Sequence, residues 1–100
     1  MKKDLDVIFK EEVHDLIIES YNFYEDKSDG LGERFLNSIA NSLKSIQKSP
    51  NGFKKVDKFR QIPILKFPFV IIYEVFESSL VIYAIFHTKQ NPVKKLKRKK

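Results

Sequence analysis

Few side chains in this sequence have the chemistry for acid–base catalysis or for holding a phosphate group. His87 carries an imidazole, which could act as a general acid or base. Arg60, Lys66 and Lys89 carry positive charges that could bind phosphate oxygens. Tyr73 could donate a proton, but it could equally be packed in the core. His87 likewise has a structural alternative, a backbone hydrogen bond at the end of a strand.

Other kinds of site find no support in the composition. The 100 residues include no cysteine, so a disulfide, a thiolate nucleophile and a zinc–thiolate site are all excluded. The two histidines, His14 and His87, give no metal-ligand spacing. The sequence also has no glycine-rich phosphate loop and no serine nucleophile motif. We therefore expect neither a metal ion nor a cofactor.

Charge is distributed unevenly along the chain. Residues 1–30 contain four basic and nine acidic residues, whereas residues 31–100 contain fifteen basic and four acidic ones. A basic segment of this strength attracts polyanions or acidic proteins. No hydrophobic run is long enough to span a bilayer, and charges follow the first methionine too soon for a secretory signal. We expect a cytoplasmic protein with one domain over residues 1–92 and a basic, flexible tail over 93–100.

Hydrophobic periodicity predicts an α+β fold in which a helical hairpin packs on a small antiparallel sheet. A short strand over residues 5–9 precedes a helix over residues 10–26, whose apolar side chains recur every three or four positions. Residues 28–32 then break the helix, and a second amphipathic helix runs to a stop at 49–52. Because the link is short, the two helices should lie nearly antiparallel.

Three strands follow the predicted hairpin. They cover residues 60–66, 69–76 and 80–87, and the last two pair antiparallel through a tight connection. In strict alternation, one side of the strand over 69–76 carries Phe69, Ile71, Tyr73 and Val75, and its other side carries Val70, Ile72, Glu74 and Phe76. The strand over 80–87 carries Leu80, Ile82, Ala84 and Phe86 on one side and Val81, Tyr83 and Ile85 on the other.

Both sides of these strands are therefore apolar, although a helical hairpin can cover only one of them. The sheet could curl over its own second side, or a partner chain could complete the core there. The sequence favours neither alternative.

The order of these elements and five local motifs resemble the RelE/ParE family of bacterial toxins. The match extends over about residues 5–92. It comprises an aromatic pair at 21–25, a Gly-Leu-Gly turn at 30–35, a helix end at 46–50, Arg60 followed by a Phe-Pro-aromatic block at 65–75, and a closing Ala-x-x-His block at 82–92. One position departs from the pattern, because Gln90 stands where the family usually carries arginine. Lys89 could supply the charge, but an ammonium does not replace a forked guanidinium.

The resemblance implies a toxin with one of two activities. RelE-like members cut mRNA in the ribosomal A site, and His87, Arg60, Lys66 and Tyr73 are the candidates for that catalysis here. ParE-like members poison DNA gyrase and are not nucleases. The long hairpin and its glycine link are closer to ParE-like members, so we expect a ParE-like toxin that is not an enzyme. A third alternative is an inactive relic that serves only as partner and co-repressor of its antitoxin.

In either active group, a small antitoxin with a flexible segment silences the toxin. A disordered, acidic segment that folds onto the apolar sheet would fit that role. The candidate antitoxin contacts are Phe69, Ile71, Tyr73, Val81, Tyr83 and Ile85. The candidate contacts with the target, or with its phosphates, are Arg60, Lys66, His87 and Lys89.

Overall fold

The computed structural model describes residues 4–88, so Lys89, Gln90 and the 93–100 tail lie outside the described part of the chain. Two helices and five strands succeed one another along it. They are β1 (Asp6–Phe9), α1 (Glu11–Lys27), α2 (Leu31–Lys48), β2 (Lys55–Val56), β3 (Phe59–Ile64), β4 (Phe69–Val75) and β5 (Ser79–His87). The α+β hairpin-on-sheet prediction is confirmed, with β2 as an additional short strand.

The strands form one sheet in the order β1-β5-β4-β3-β2. The pairs β2–β3, β3–β4 and β4–β5 are antiparallel, whereas β1 pairs with β5 in parallel. The antiparallel sheet predicted from the sequence is therefore present in β2 to β5, and the parallel pairing of β1 departs from it. The reason is the hairpin, which carries the chain across the sheet between β1 and the later strands, as a parallel pairing requires.

The two helices are held together at their turn by one carboxylate. Glu25, in the last turns of α1, accepts hydrogen bonds from the backbone N–H groups of Gly30 and Gly32, both at 2.9 Å. These groups lie at the start of α2, where N–H groups lack partners within the helix and a negative charge is favoured. Gly30 has φ +85°, a conformation that glycine adopts without strain.

Replacing Glu25 by alanine should lower the free energy of unfolding by about 2 kcal/mol, because two N–H groups lose a charged acceptor. Urea unfolding followed by circular dichroism measures this loss. Glu19→Ala is the matched control, since Glu19 is an exposed residue of the same helix. Equal stabilities of the two variants would show that the carboxylate does not clamp the turn.

The core lies between the hairpin and one side of the sheet. Val13 of α1 and Phe35, Ile39 and Ile46 of α2 are at most 5% exposed, and they form one cluster with buried strand residues. The strand members of this cluster are Ile62, Ile64, Ile71, Tyr73, Leu80, Ile82 and Ile85. We call the sheet side that they occupy the covered face.

An irregularity in the pairing of β4 with β5 decides which side chains join the core. The register shifts between Ile72 and Tyr73, so Ile72 lies opposite Ala84 whereas Tyr73 lies opposite Ile82. Tyr83 is the extra residue of this β-bulge. Beyond the bulge the alternation of β5 is reversed, which places Ile85 on the covered face and Ala84 and Phe86 on the other.

Candidate functional site

The second side of the sheet has no helix on it within residues 4–88, and we call it the open face. None of its side chains belongs to the core cluster under the hairpin. The register and the bulge assign to it the apolar or aromatic residues Ile8, Val56, Phe59, Pro63, Val70, Ile72, Phe76, Val81, Tyr83, Ala84 and Phe86, and the polar residues Asp6, Gln61, Glu74 and Ser79. Eleven of these fifteen residues are apolar or aromatic, so the open face is predominantly apolar.

The centre of the open face is covered by its own side chains. Ile72 has no exposed surface although no helix lies over it. The rings of Phe59 on β3 and Tyr83 on β5 meet edge to face, with centroids 5.3 Å apart. Because β4 lies between these two strands, the ring pair spans it near Ile72. Here the alternative of a sheet that covers part of its own second side is supported.

The margin of the open face is not covered in the same way. Ile8 on β1 is 48% exposed, and Phe76 after β4 is 46% exposed. Val81, half-buried, lies opposite both Ile8 and Glu74 in the sheet register. Ile8, Phe76 and Val81 thus form an apolar patch, which we call the open-face patch. Exposed apolar groups gathered on one face are typical of protein–protein contact surfaces.

The Glu74 carboxylate, in the middle strand of the open face, is compensated by its neighbours. The Tyr83 hydroxyl donates a 2.8 Å hydrogen bond to Glu74 Oε1, and Lys10 Nζ lies 5.5 Å from the centroid of the Tyr83 ring. Burial raises the pKa of Tyr83, and the hydrogen bond to Glu74 and its charge raise it further. Glu74 therefore sits on this face without leaving a bare charge among apolar side chains.

The six candidate antitoxin contacts fall on both faces of the sheet. Val81 and Tyr83 lie on the open face, where a partner can reach them. Ile71 and Tyr73 have no exposed surface, and Ile85 is 4% exposed. The prediction that these three lie on an accessible apolar surface is wrong, because they pack under the hairpin.

Phe69 also lies on the covered face. It is partly buried and packs against the core, where its ring contacts Tyr24 and Phe35. Part of its side chain stays exposed, and its assignment as an antitoxin contact stays a prediction.

Arg60 and Tyr73 lie opposite each other on β3 and β4, on the covered face. Arg60 Nη1 donates a 2.9 Å hydrogen bond to the Phe53 carbonyl, which fixes the segment before β2. Tyr73 is fully buried, and its hydroxyl has no hydrogen-bond partner among the described residues. Burial raises the pKa of Tyr73 to about 12, although the positive charge of Arg60 opposes the shift. Such a phenol is a poor proton donor to a substrate near neutral pH.

Replacing Tyr73 by phenylalanine should leave the free energy of unfolding unchanged or raise it by up to about 1 kcal/mol at neutral pH, because a buried hydroxyl without a partner is removed. The raised pKa favours the neutral phenol in the folded state. The stability that comes from this difference in pKa between the folded and the unfolded state is complete below pH 10. It is lost as the pH rises toward 12. The variant should accordingly lose less stability than the wild type between pH 10 and 12, as measured by urea unfolding.

If Tyr73→Phe instead abolished growth inhibition while the protein remained folded, the tyrosine hydroxyl would be functional rather than structural. Tyr83→Phe is the matched control. It removes a hydroxyl that donates to Glu74, so this variant should be the less stable of the two.

His87 and Lys66 lie at the opposite end of the sheet from Arg60. His87 pairs with Phe69 in the register, and the two rings are 5.5 Å apart. Lys66 is exposed in the turn between β3 and β4, where it has φ +71°. The Phe69 ring continues into a cluster with Tyr24 and Phe35, which anchors this end of the sheet to both helices.

The predicted catalytic residues therefore do not converge within residues 4–88. On β3, Arg60 lies opposite Tyr73, and Ile64 lies opposite Phe69, which in turn lies opposite His87 on β5. Arg60 and Ile64 are four positions apart along β3, so the backbone at Arg60 is about 13 Å from the level of His87, at 3.3 Å per residue. General acid–base catalysis requires groups within hydrogen-bond reach of one reacting centre. The described residues also include no group of three or more potential metal ligands.

The roles of two residues, Glu25 in the turn between the helices and Ile8 on the open face, were not predicted from the sequence. Glu25 had a signal, because a carboxylate in the last turn of a helix opposes the dipole and needs a donor elsewhere. Ile8 had none, because its exposure depends on the parallel pairing of β1 with β5.

The comparisons with known proteins agree with this architecture. The model of the ParE toxin of the type II toxin–antitoxin system parDE matches residues 3–92. A solved structure described as the chromosomal ParDE TA system from P. aeruginosa is similar, with a TM-score of 0.68 and 17% sequence identity. That similarity covers 83% of this chain and 95% of the other. No curated protein matches. The family match spans nine-tenths of the sequence, and the chain belongs to the ParE toxin family of type II toxin–antitoxin systems.

Proposed function

We propose that this ParE-like toxin inhibits growth by binding DNA gyrase, and that its antitoxin neutralises it by covering the open face. A toxin of this family has a cognate antitoxin as partner. The observation that carries the proposal is the open face itself. It combines a self-covered centre with an exposed apolar margin at Ile8 and Phe76.

The dispersion of the candidate catalytic groups supports action by binding rather than by catalysis. Tyr73 is buried with a raised pKa, and Arg60 is engaged with the Phe53 carbonyl. His87 and Lys66 lie at the other end of the sheet. Lys66 and His87 remain the candidates for target contact among the described residues, and Lys89 stays a prediction.

Antitoxin contacts are proposed at the open-face patch and at Tyr83. Burial of Ile8, Phe76 and Val81 by a partner would remove exposed apolar surface from water, the main favourable term in most associations. Lys10 and Lys58 lie against the aromatic rings of this face, where carboxylates of an acidic partner could meet them.

The target is tested by a plasmid supercoiling and cleavage assay with purified toxin and gyrase. We expect loss of supercoiling and accumulation of gyrase-linked cleaved DNA. Unimpaired gyrase, together with codon-position cuts in translated mRNA that His87→Ala and Arg60→Ala abolish, would contradict the proposal and favour a ribosome-dependent nuclease. Harmless expression at high level would favour the inactive relic.

A further inference from the structure

A cleft beside β3, on the helix side of the sheet, offers a second contact site for the antitoxin. It has a volume of about 230 Å³ and lies between α2 and β3. Asn41, Ser42 and Ser45 line it from the helix, and Phe53, Ile62, Pro63 and Leu65 line it from the segments around β3. Leu65 is 68% exposed, the highest value among the exposed large hydrophobic residues of the described chain.

The size of the cleft indicates what it could hold. Small-molecule and cofactor pockets run from about 300 to 1,000 Å³, so this cleft is below that range. An engineered apolar cavity of about 150 Å³ accommodates benzene. A cleft of about 230 Å³ can therefore take one aromatic or branched aliphatic side chain, which is the usual form of an anchor at a protein interface.

The backbone at this edge is poorly suited to pairing with an added strand. Gln61 N–H donates to the Lys54 carbonyl at 2.9 Å, and the Ser42 hydroxyl donates to the Pro63 carbonyl at 3.1 Å. Pro63 itself has no N–H to offer. We therefore expect a partner to bind mainly through side chains. A helix suits this, because its own backbone groups are already paired.

The charges around the cleft select an acidic partner. Residues 41–66 contain seven basic residues and one acidic residue. Lys44 and Lys48 follow the lining residues Asn41 and Ser45 by three positions on α2, and therefore lie on the same helix face. Lys54 and Lys66 are adjacent in sequence to Phe53 and Leu65. All four lysines are exposed, so the cleft has a basic margin that we call the lysine frame.

The cleft is continuous with the open face around the β3 edge. Pro63 lies opposite Val70 of the open face in the register, and it also lines the cleft. A partner that covers the open face can therefore cross β3 at Pro63 and reach the cleft without leaving the protein surface.

We propose that an acidic helix of the antitoxin crosses the β3 edge, inserts one apolar side chain into the α2–β3 cleft, and places carboxylates against the lysine frame. The inference rests on the proposed function in taking the antitoxin as the source of this helix. The cleft, its lysines and its closed backbone edge together define the chemistry of the segment that fits.

The probe is a synthetic helical peptide of alanine and glutamate with one central phenylalanine, titrated into the ¹⁵N-labelled protein. We expect amide shifts concentrated at Ser45 and Leu65. A peptide with alanine in place of the phenylalanine should bind at least about tenfold more weakly. A peptide with lysine in place of glutamate should not bind. Equal affinity of the phenylalanine and alanine peptides, or shifts confined to the open face, would overturn the proposal.

Two matched variants test whether the peptide contacts the protein at the α2–β3 cleft. Ser45→Glu should weaken peptide binding at least about fivefold, because it sets a like charge at the cleft. Asn22→Glu should not, since Asn22 is an exposed residue of α1, and α1 contributes no residue to the lining of the cleft. Equal binding by both variants would contradict the placement. The titration uses purified protein, so its outcome does not depend on whether the protein inhibits gyrase.

The same two variants separate the antitoxin from other acidic helices. The cognate antitoxin should bind Ser45→Glu at least about fivefold more weakly than it binds Asn22→Glu. Equal affinity for the two variants would show that the antitoxin does not use the cleft. Absence of toxicity before any antitoxin is added would instead count against the proposed function, and the peptide titration would still decide on the cleft.

Discussion

Ile85→Lys should unfold the protein, whereas Val81→Lys in the same strand should leave it folded. Ile85 is 4% exposed in the core and lies opposite Ile71. A lysine there loses the apolar packing and buries a charge without a partner, a combined cost of about 5 kcal/mol or more. A domain of this size has about 5–15 kcal/mol of stability in total. Circular dichroism and the dispersion of amide resonances measure the outcome.

Val81→Lys places the same side chain on the open face. Val81 is half-buried and lies opposite Glu74, so the new charge meets a carboxylate across the strands. Without the bulge, strict alternation puts positions 81 and 85 on one face and predicts similar outcomes for the two variants. Two folded proteins, or two unfolded ones, would therefore contradict the register described for β5.

Gly32→Ala should destabilise the protein although alanine is the better helix former. Helix propensity favours alanine by about 1 kcal/mol. A Cβ on Gly32, however, would lie 2.8 Å from two ring carbons and from the backbone oxygen of Tyr21. Overpacking of this kind costs about 3 kcal/mol at the upper end, and the backbone oxygen cannot rotate away. The net expectation is a loss of about 2 kcal/mol, measured by urea unfolding.

Gly52→Ala is the control for Gly32→Ala. Its Cβ would meet the side chain of Ser49 at 3.1 Å, in an exposed loop that can adjust. We expect a change within about 1 kcal/mol for this variant. A gain in stability for Gly32→Ala would mean that the helices are not in close contact at Tyr21, and the tight hairpin would be wrong.

The sequence predicted the elements well because their signals are local. The apolar stripe of α2, with Phe35, Ile39 and Ile46, is buried as its periodicity predicts. The break at 28–32 agrees with the left-handed conformation of Gly30. These features depend on residues a few positions apart, and the order of such elements was enough to suggest the family.

The sidedness of the sheet could not be predicted from the same pattern. The bulge at Tyr83 moves Ile85 to the covered face and Ala84 to the open face. Because both sides of β4 and β5 are apolar, no polar residue in the sequence marks this change. The parallel pairing of β1 with β5 is likewise a long-range choice, and it decides that Ile8 is exposed on the open face. The candidate site was therefore partly misplaced, with Ile71, Tyr73 and Ile85 in the core.

The role of the open face is tested most directly by the antitoxin affinity of a double variant of the open-face patch, Ile8→Asp with Phe76→Asp. Both residues are about half exposed, at 48% and 46%, so the fold should persist. The matched control is Ile18→Asp with Phe23→Asp on α1, where the exposures are 57% and 55%. Loss of an interface hot spot costs about 2 kcal/mol, or roughly 30-fold in affinity, for each residue.

We expect the open-face variant to bind the antitoxin at least about 100-fold more weakly than the wild type and to inhibit growth even when the antitoxin is present. We expect wild-type affinity for the α1 control. Wild-type affinity of the open-face variant, or an equal loss in the α1 control, would contradict the claim that the antitoxin neutralises this toxin through the open face.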